Sequence, residues 1–222
     1  APVGDNPSLL SFENAVTLFH EFGHAMHGIL TDVTYGSMAG TAGPRDFIEL
    51  PSQLLEHWVS EPEVLKSFAT HFETGESMPD ELIEKLLKAG KFNQGFINTE
   101  YLAASLLDMD WHTMSVLDAQ NISNNFEKNS MNKIGLINQI APRYRSTYFA
   151  HIFSGGYSSG YYSYVHAAVL DSDAFEAFKE AGDVFDPELS SKLRKEIYEK
   201  GSTEEAMDLF VNFRGRKPII EP

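Results

Sequence analysis

Residues 11–30 read SFENAVTLFHEFGHAMHGIL, and this stretch decides how the rest of the chain is read. Ser11 is a natural N-cap, Glu13 sits in a first turn that favours negative charge, and apolar residues recur at Val16, Phe19, Phe22, Met26 and Ile29. The spacing predicts an amphipathic helix over about residues 12 to 30. Within it His20-Glu21-Phe22-Gly23-His24 forms an HExxH motif. His20 and His24 lie one turn apart on one face, so both imidazoles can reach a single Zn²⁺ ion. Glu21 is turned about 100° from His20 and is the candidate general base for an attacking water rather than a ligand. Histidines four apart also arise by chance, but the apolar helical setting favours the metal reading.

A zinc centre of this kind takes a third protein ligand and keeps a fourth position open. The sequence has no cysteine, so that ligand is His, Asp or Glu. His27 shares the face of His20 and His24, yet three ligands on one straight helix cannot surround an ion. Glu49, within DFIELPSQ on the next predicted helix, is the favoured choice, because an antiparallel return can set it opposite the histidines. His27 is then a packed or supporting histidine. Asp46, Ser52 and Gln53 lie one turn from Glu49 and can orient the ligand imidazoles through their second nitrogen.

Outward from this core, TDVTYGSMAGTAG (31–43) is rich in Gly, Thr and Ser and predicts a short strand or hairpin followed by a loop. A second helix opens near Pro44 and runs through RDFIELPSQLLEHWVS, with Pro51 expected to bend it or end its first part. Pro62 and Pro79 mark helix starts at the first helical position. NTEYLAASLLDMDWHTMSVLDA (98–119) predicts a long, largely buried helix. The chain is expected to be mainly α, without internal repeats.

With 222 residues the chain can bury a substantial core, and 32 acidic against 17 basic side chains give a net charge of −15. That balance argues against a nucleic-acid surface, which needs clustered basic residues to neutralise phosphate. No apolar run reaches the roughly 18 residues of a membrane helix, and the first residues, APVGDNPSLL, have neither a basic n-region nor an h-region. The chain starts at Ala1 and is expected to be part of something longer.

A second signal is compositional. Six of the nine tyrosines fall between Tyr144 and Tyr164, interleaved with Gly155, Gly156 and Gly160. Glycines allow close approach to a ligand, and phenols can donate to a developing oxyanion. A protonated His151 can do the same. The tract AHIFSGGYSSGYYSY (150–164) resists a regular helix.

LFHEFGHAMH, RDFIELPSQLLEHW and PRYRSTYFAHIFSGGYSSGYYSY, in this order, resemble the catalytic region of the thimet oligopeptidase family of zinc metallopeptidases. The third segment and the closing FRGRKPIIEP are most similar to the bacterial peptidyl-dipeptidase branch. The resemblance spans nearly the whole chain. It implies a multi-helical zincin-type catalytic domain over residues 1–222, one zinc ion per chain held by His20, His24 and Glu49, and Glu21 as general base. It further implies that His151 and Tyr164 stabilise the tetrahedral intermediate and that Tyr157 and Tyr161 contact substrate. Arg143, Arg145 and Tyr157 are candidates for capturing a substrate carboxylate.

The expected activity is hydrolysis of short peptides with release of C-terminal dipeptides. An endo-acting oligopeptidase and a non-catalytic zinc-binding fragment are the alternatives. Expected partners are short peptides and an absent N-terminal portion that completes a two-lobed protein, with no nucleic acid and no membrane. A cytoplasmic location is expected, with the periplasm as the alternative.

Overall fold

In the computed structural model the Ser11 hydroxyl accepts a hydrogen bond from the Asn14 N–H at 3.2 Å and starts helix α1, Phe12–Leu30. The structure describes residue 4, residues 7–116, residue 119 and residues 125–220. The packed stripe of α1 differs from the expected one. Phe19, Gly23, Met26, His27 and Leu30 face the interior, whereas Phe22 and Ile29 are exposed. The reason is the neighbour: α1 lies against helix α2, Arg45–Val59, through its glycine and histidine face rather than its most apolar one.

Helix α2 follows Pro44 and stays helical through Pro51, so the expected end of its first part does not occur. Proline has no N–H to return to the Phe47 carbonyl and ordinarily interrupts a helix. Here residues 47–52, Pro51 included, are buried, and tertiary packing holds the helix together. Phe47, Leu50, Leu54 and Trp58 of α2 form the main core with Leu170, Phe175 and Phe178 of the helix Ser163–Ala181 and with Ile197, Leu209, Phe210 and Phe213. The Trp58 indole N–H donates to the Val184 carbonyl at 2.9 Å.

No strand follows α1. The segment expected as a strand or hairpin forms two 3₁₀ turns, Gly36–Met38 and Gly40–Ala42. Local patterning is overridden here by close packing on α1: Gly40 has φ +49°, and a Cβ on it would lie 3.0 Å from Gly28 Cα. The Thr31 hydroxyl oxygen accepts the Gly40 N–H at 3.0 Å, and Met38 accepts the Ser202 N–H at 2.9 Å. Among the described residues the β pairing is one isolated bridge, Thr70 to Ser77.

Pro62 occupies the first position of helix Pro62–Phe68 as expected, whereas Pro79 is the N-cap of helix Asp80–Gly90, one residue earlier than expected. The predicted long helix is Gln94–His112, ending before the expected 119; residues 117 and 118 of that stretch lie outside the described residues. It buries one face, through Ala103, Ala104, Ser105, Leu107 and Asp108, and leaves Leu102 and Leu106 exposed.

The chain divides into two units, residues 1–91 with 167–222, and residues 92–166. The first holds α1, α2 and the main core. In it the buried Asp173 accepts from both Arg214 and Arg216 and from the Ile219 N–H, tying down the C-terminal segment. The second contains the helices Gln94–His112 and Phe126–Lys133 and the glycine-rich tract. Phe149, Ile152 and Tyr161 pack with Ala104, and Leu107 packs with Ala103 and Met131. In the tract, one short helix, Ala150–Phe153, is followed by turns until the helix Ser163–Ala181 begins.

Candidate metal centre

The first unit brings His20, His24 and Glu49 together, with one donor atom from each within 4.8 Å of the others. Nε2 of His20 and Nε2 of His24 each lie 3.4 Å from the same Glu49 oxygen, Oε2. Helix α1 supplies the histidines one turn apart, and α2 returns beside it with Glu49 facing them. Glu49 is fully buried. A carboxylate at that depth is costly unless compensated, and its partners here include the Ser52 hydroxyl at 2.9 Å and the two imidazole edges. Two nitrogens and one carboxylate oxygen form a donor set that suits a divalent cation of the zinc type.

Glu56, which sequence reasoning did not single out, contacts Nδ1 of His20 at 2.6 Å through Oε1. A carboxylate can only accept, so this pairing places a His20 proton on Nδ1 and leaves the Nε2 lone pair available to a metal ion on the Glu49 side. Burial works against a charge on His20. The Glu56 hydrogen bond and the nearby charges of Glu56, Glu49 and Glu21 outweigh it and hold the imidazole above its usual range. The signal available in the sequence was spacing, since Glu56 follows Glu49 by seven residues, two turns along the same face of α2. Ser52, expected to orient an imidazole, instead supports Glu49 itself.

Gly23 explains how the helices come so close. A Cβ at that position would stand 2.5 Å from the Pro51 carbonyl oxygen and 2.6 Å from Ser52 Cα. Those are backbone atoms and cannot swing aside. Gly23→Ala is expected to force α1 and α2 apart, costing about 1–3 kcal/mol. Affinity for a divalent metal at the candidate site is expected to fall with it, because Glu49 sits two residues from the contact; calorimetric titration and thermal melts check both. A glycine inside a helix sacrifices about 1 kcal/mol relative to alanine, and that cost was the readable sign of a close approach.

His27 does not join the cluster. It is 1% exposed, neither ring nitrogen has a hydrogen-bond partner among the described residues, and its ring meets Tyr198 edge-on at 6.0 Å. Burial, aided by the nearby His24, pushes its pKa down to about 4. The unfolded chain therefore takes up a proton below its ordinary pKa of about 6.5 while the folded chain does not. Stability is expected to fall as pH drops from about 6.5 toward 4, by on the order of 3 kcal/mol. His27→Leu is expected to flatten that slope in denaturant titrations of the metal-free chain, and to leave any metal binding at the His20–His24–Glu49 site unchanged.

Glu21 is exposed beside His20 on α1. Asp46 lies in the first turn of α2, and Gln53 follows Ser52 on that helix.

In the second unit His151, Tyr157, Tyr161 and Tyr164 gather into one aromatic cluster. The His151 ring lies 6.1 Å from Tyr157, 5.6 Å from Tyr161 and 6.4 Å from Tyr164, and Tyr157 stacks on Tyr164 at 5.3 Å. Tyr161 is 2% exposed, and burial followed by the neighbouring Tyr144 raises its pKa far above the usual phenol range. It lines the interior of this cluster rather than its surface. Arg145 is exposed and paired with Glu127 at 2.6 Å. The Arg143 guanidinium sits over the Tyr101 ring at 4.2 Å, against the same aromatic cluster.

The fold and the His20–His24–Glu49 group define a class: a mainly α protein with two histidines on one helix and a carboxylate on the next, arranged as a candidate metal centre. The chain belongs to Peptidase family M3, which residues 1–222 match along their whole length. It is similar to the "Dipeptidyl carboxypeptidase" of Escherichia coli K12, 40% identical over 222 residues, covering all of this chain and 32% of that protein. The protein of that name from Salmonella typhimurium LT2 is 41% identical over 222 residues, again with 32% of its length covered. "Oligopeptidase A" of Haemophilus influenzae Rd is 38% identical over 222 residues, with 32% of its length covered. The chain thus spans about a third of the length of these relatives. Among the described residues no helix is long and apolar enough to cross a membrane.

Proposed function

We propose that this chain is the zinc-binding catalytic part of a peptidase that hydrolyses short peptides and releases C-terminal dipeptides. The observation that carries this is the convergence of His20, His24 and the buried Glu49, with Glu21 exposed on the same helix, in a chain of Peptidase family M3. When bound, Zn²⁺ supplies Lewis acidity that polarises a carbonyl and lowers the pKa of water.

The protein's own groups divide the remaining work. His20, His24 and Glu49 hold the ion, and Glu56 keeps the His20 ring in one tautomer. Glu21 takes the proton of the attacking water and passes it to the leaving amine. His151 and Tyr164 are the candidate donors to the carbonyl oxygen as it gains charge. Tyr157 is the candidate substrate contact. Tyr161, being buried, serves as the inner wall behind it. Arg143 is a better candidate for a terminal carboxylate than Arg145, whose charge is committed to Glu127. The rest of the full-length polypeptide is the partner that completes the substrate site.

Tyr164→Phe keeps the ring and deletes the donor, so kcat in the full-length protein is expected to fall about 10²-fold with KM little changed. A several-fold rise in KM at constant kcat would instead place the hydroxyl on ground-state substrate. Similarity to oligopeptidase A favours a second reading, endo-acting cleavage by the same chemistry. Mass spectrometry of products from a free-ended peptide and its C-terminally amidated twin separates the two. Loss of cleavage on amidation supports dipeptide release, and equal cleavage supports the endo-acting reading.

A further inference from the structure

Asp108 lies on the helix Gln94–His112, and its side chain is fully buried. Its two oxygens are divided between two backbone amides of the glycine-rich tract. Oδ1 accepts the Ser159 N–H at 2.9 Å, and Oδ2 accepts the Tyr161 N–H at 2.9 Å. Nδ1 of His112, one turn along the same helix, stands 2.7 Å from Oδ1, and the His112 ring lies against Phe153 at 5.7 Å. Ser159 has φ +55°, a left-handed conformation that an L-residue adopts only when its surroundings impose it.

At its other end the tract folds back on His151. The Tyr157 N–H donates to the His151 carbonyl at 3.0 Å, and a Cβ on Gly155 would lie 2.9 Å from His151 Cα. The Tyr164 N–H reaches the Tyr161 carbonyl at 3.4 Å, so the point held by Asp108 is also where the following helix starts. Moving residues 159–161 away would strand a buried carboxylate, whose desolvation is far more costly than that of a neutral group.

We propose that Asp108, oriented by His112, is a positioning residue that clamps the turn at Ser159–Tyr161 and thereby fixes where the Tyr157 and Tyr164 phenols stand relative to His151. This rests on the peptidase reading, in which those groups face the reacting carbonyl. Nothing in it involves the metal, which is held by residues of the other unit. The physical requirement is that a phenol stabilises a developing oxyanion only when it is already aimed at it, and misplacement by about 1 Å can cost about 10²-fold in rate.

The test uses the full-length protein and the variants Asp108→Asn and His112→Leu. Asparagine keeps the volume but offers only one oxygen, turning an NH₂ toward the second amide. Expected for Asp108→Asn are wild-type zinc content, faster hydrogen exchange at the Ser159 and Tyr161 amides, and a fall in kcat of about 10-fold or more. His112→Leu, which leaves the carboxylate in place, is expected to show a smaller loss of the same kind, and it decides the matter if Asp108→Asn does not fold. The distinguishing readout is a kinetic cycle with Tyr164→Phe. The part of the loss that runs through Tyr164 should vanish in the Tyr164→Phe background, so Asp108→Asn is expected to cost several-fold less there than in the parent. A full multiplicative loss there, or unchanged kcat in both single variants of an active parent, overturns the positioning role alone. A wild-type parent that cleaves no peptide overturns the peptidase reading and this inference with it.

Discussion

Glu21→Gln in the full-length protein is expected to retain the metal and lose kcat by about 10²–10⁴-fold, the usual contribution of a positioned general base. Glutamine has nearly the shape of glutamate but cannot accept the proton. Glu21 is exposed, so the substitution removes no buried contact and should change stability by less than about 0.5 kcal/mol. Its side chain also leaves α1 in a different direction from those of His20 and His24, so the proposed ligand set stays complete. Zinc analysis and kinetics on the same preparation make the check. Activity retained with full metal content would remove Glu21 from the chemistry.

Glu49→Ala is expected to abolish stoichiometric zinc binding. The carboxylate is the single anionic member of the three-residue cluster, and it comes from a different helix than the two imidazoles. Without it the candidate ligands that remain, His20 and His24, both come from one face of α1. Glu56→Gln supplies the graded comparison. It leaves all three ligands and loosens only the His20 tautomer, for which an affinity loss of about 10- to 100-fold is expected. Competition with a chromophoric chelator measures both. Stoichiometric zinc in purified Glu49→Ala would show that the third ligand lies elsewhere; the buried, uninvolved position of His27 speaks against its taking that place.

Much of this protein was legible because the relevant rules act over short distances in the chain. Ser11 caps α1, and His20 and His24 share a face, because hydrogen bonding and helical period depend only on residues three or four apart. The helical class, the start of α2 near Pro44 and the irregular turns after Phe153 follow from the same local chemistry. Glu49 could be nominated as the third candidate because it lies on the next predicted helix, where an antiparallel return can set it opposite the histidines.

Only the tertiary structure decided which face of α1 packs, why α2 stays helical through Pro51, and why the segment after α1 coils into 3₁₀ turns instead of a strand. In each case a contact distant in sequence outweighs local preference: Gly23 against Pro51 and Ser52, and Gly40 against Gly28. The same holds for the supporting groups. Glu56 on His20 spans 36 residues, and Asp108 on Ser159 spans 51. No helical period or turn propensity reaches that far. Such pairings exist because burying a charge or closing two helices to backbone contact must be satisfied by whatever the fold brings alongside, and that is set by the packed chain as a whole.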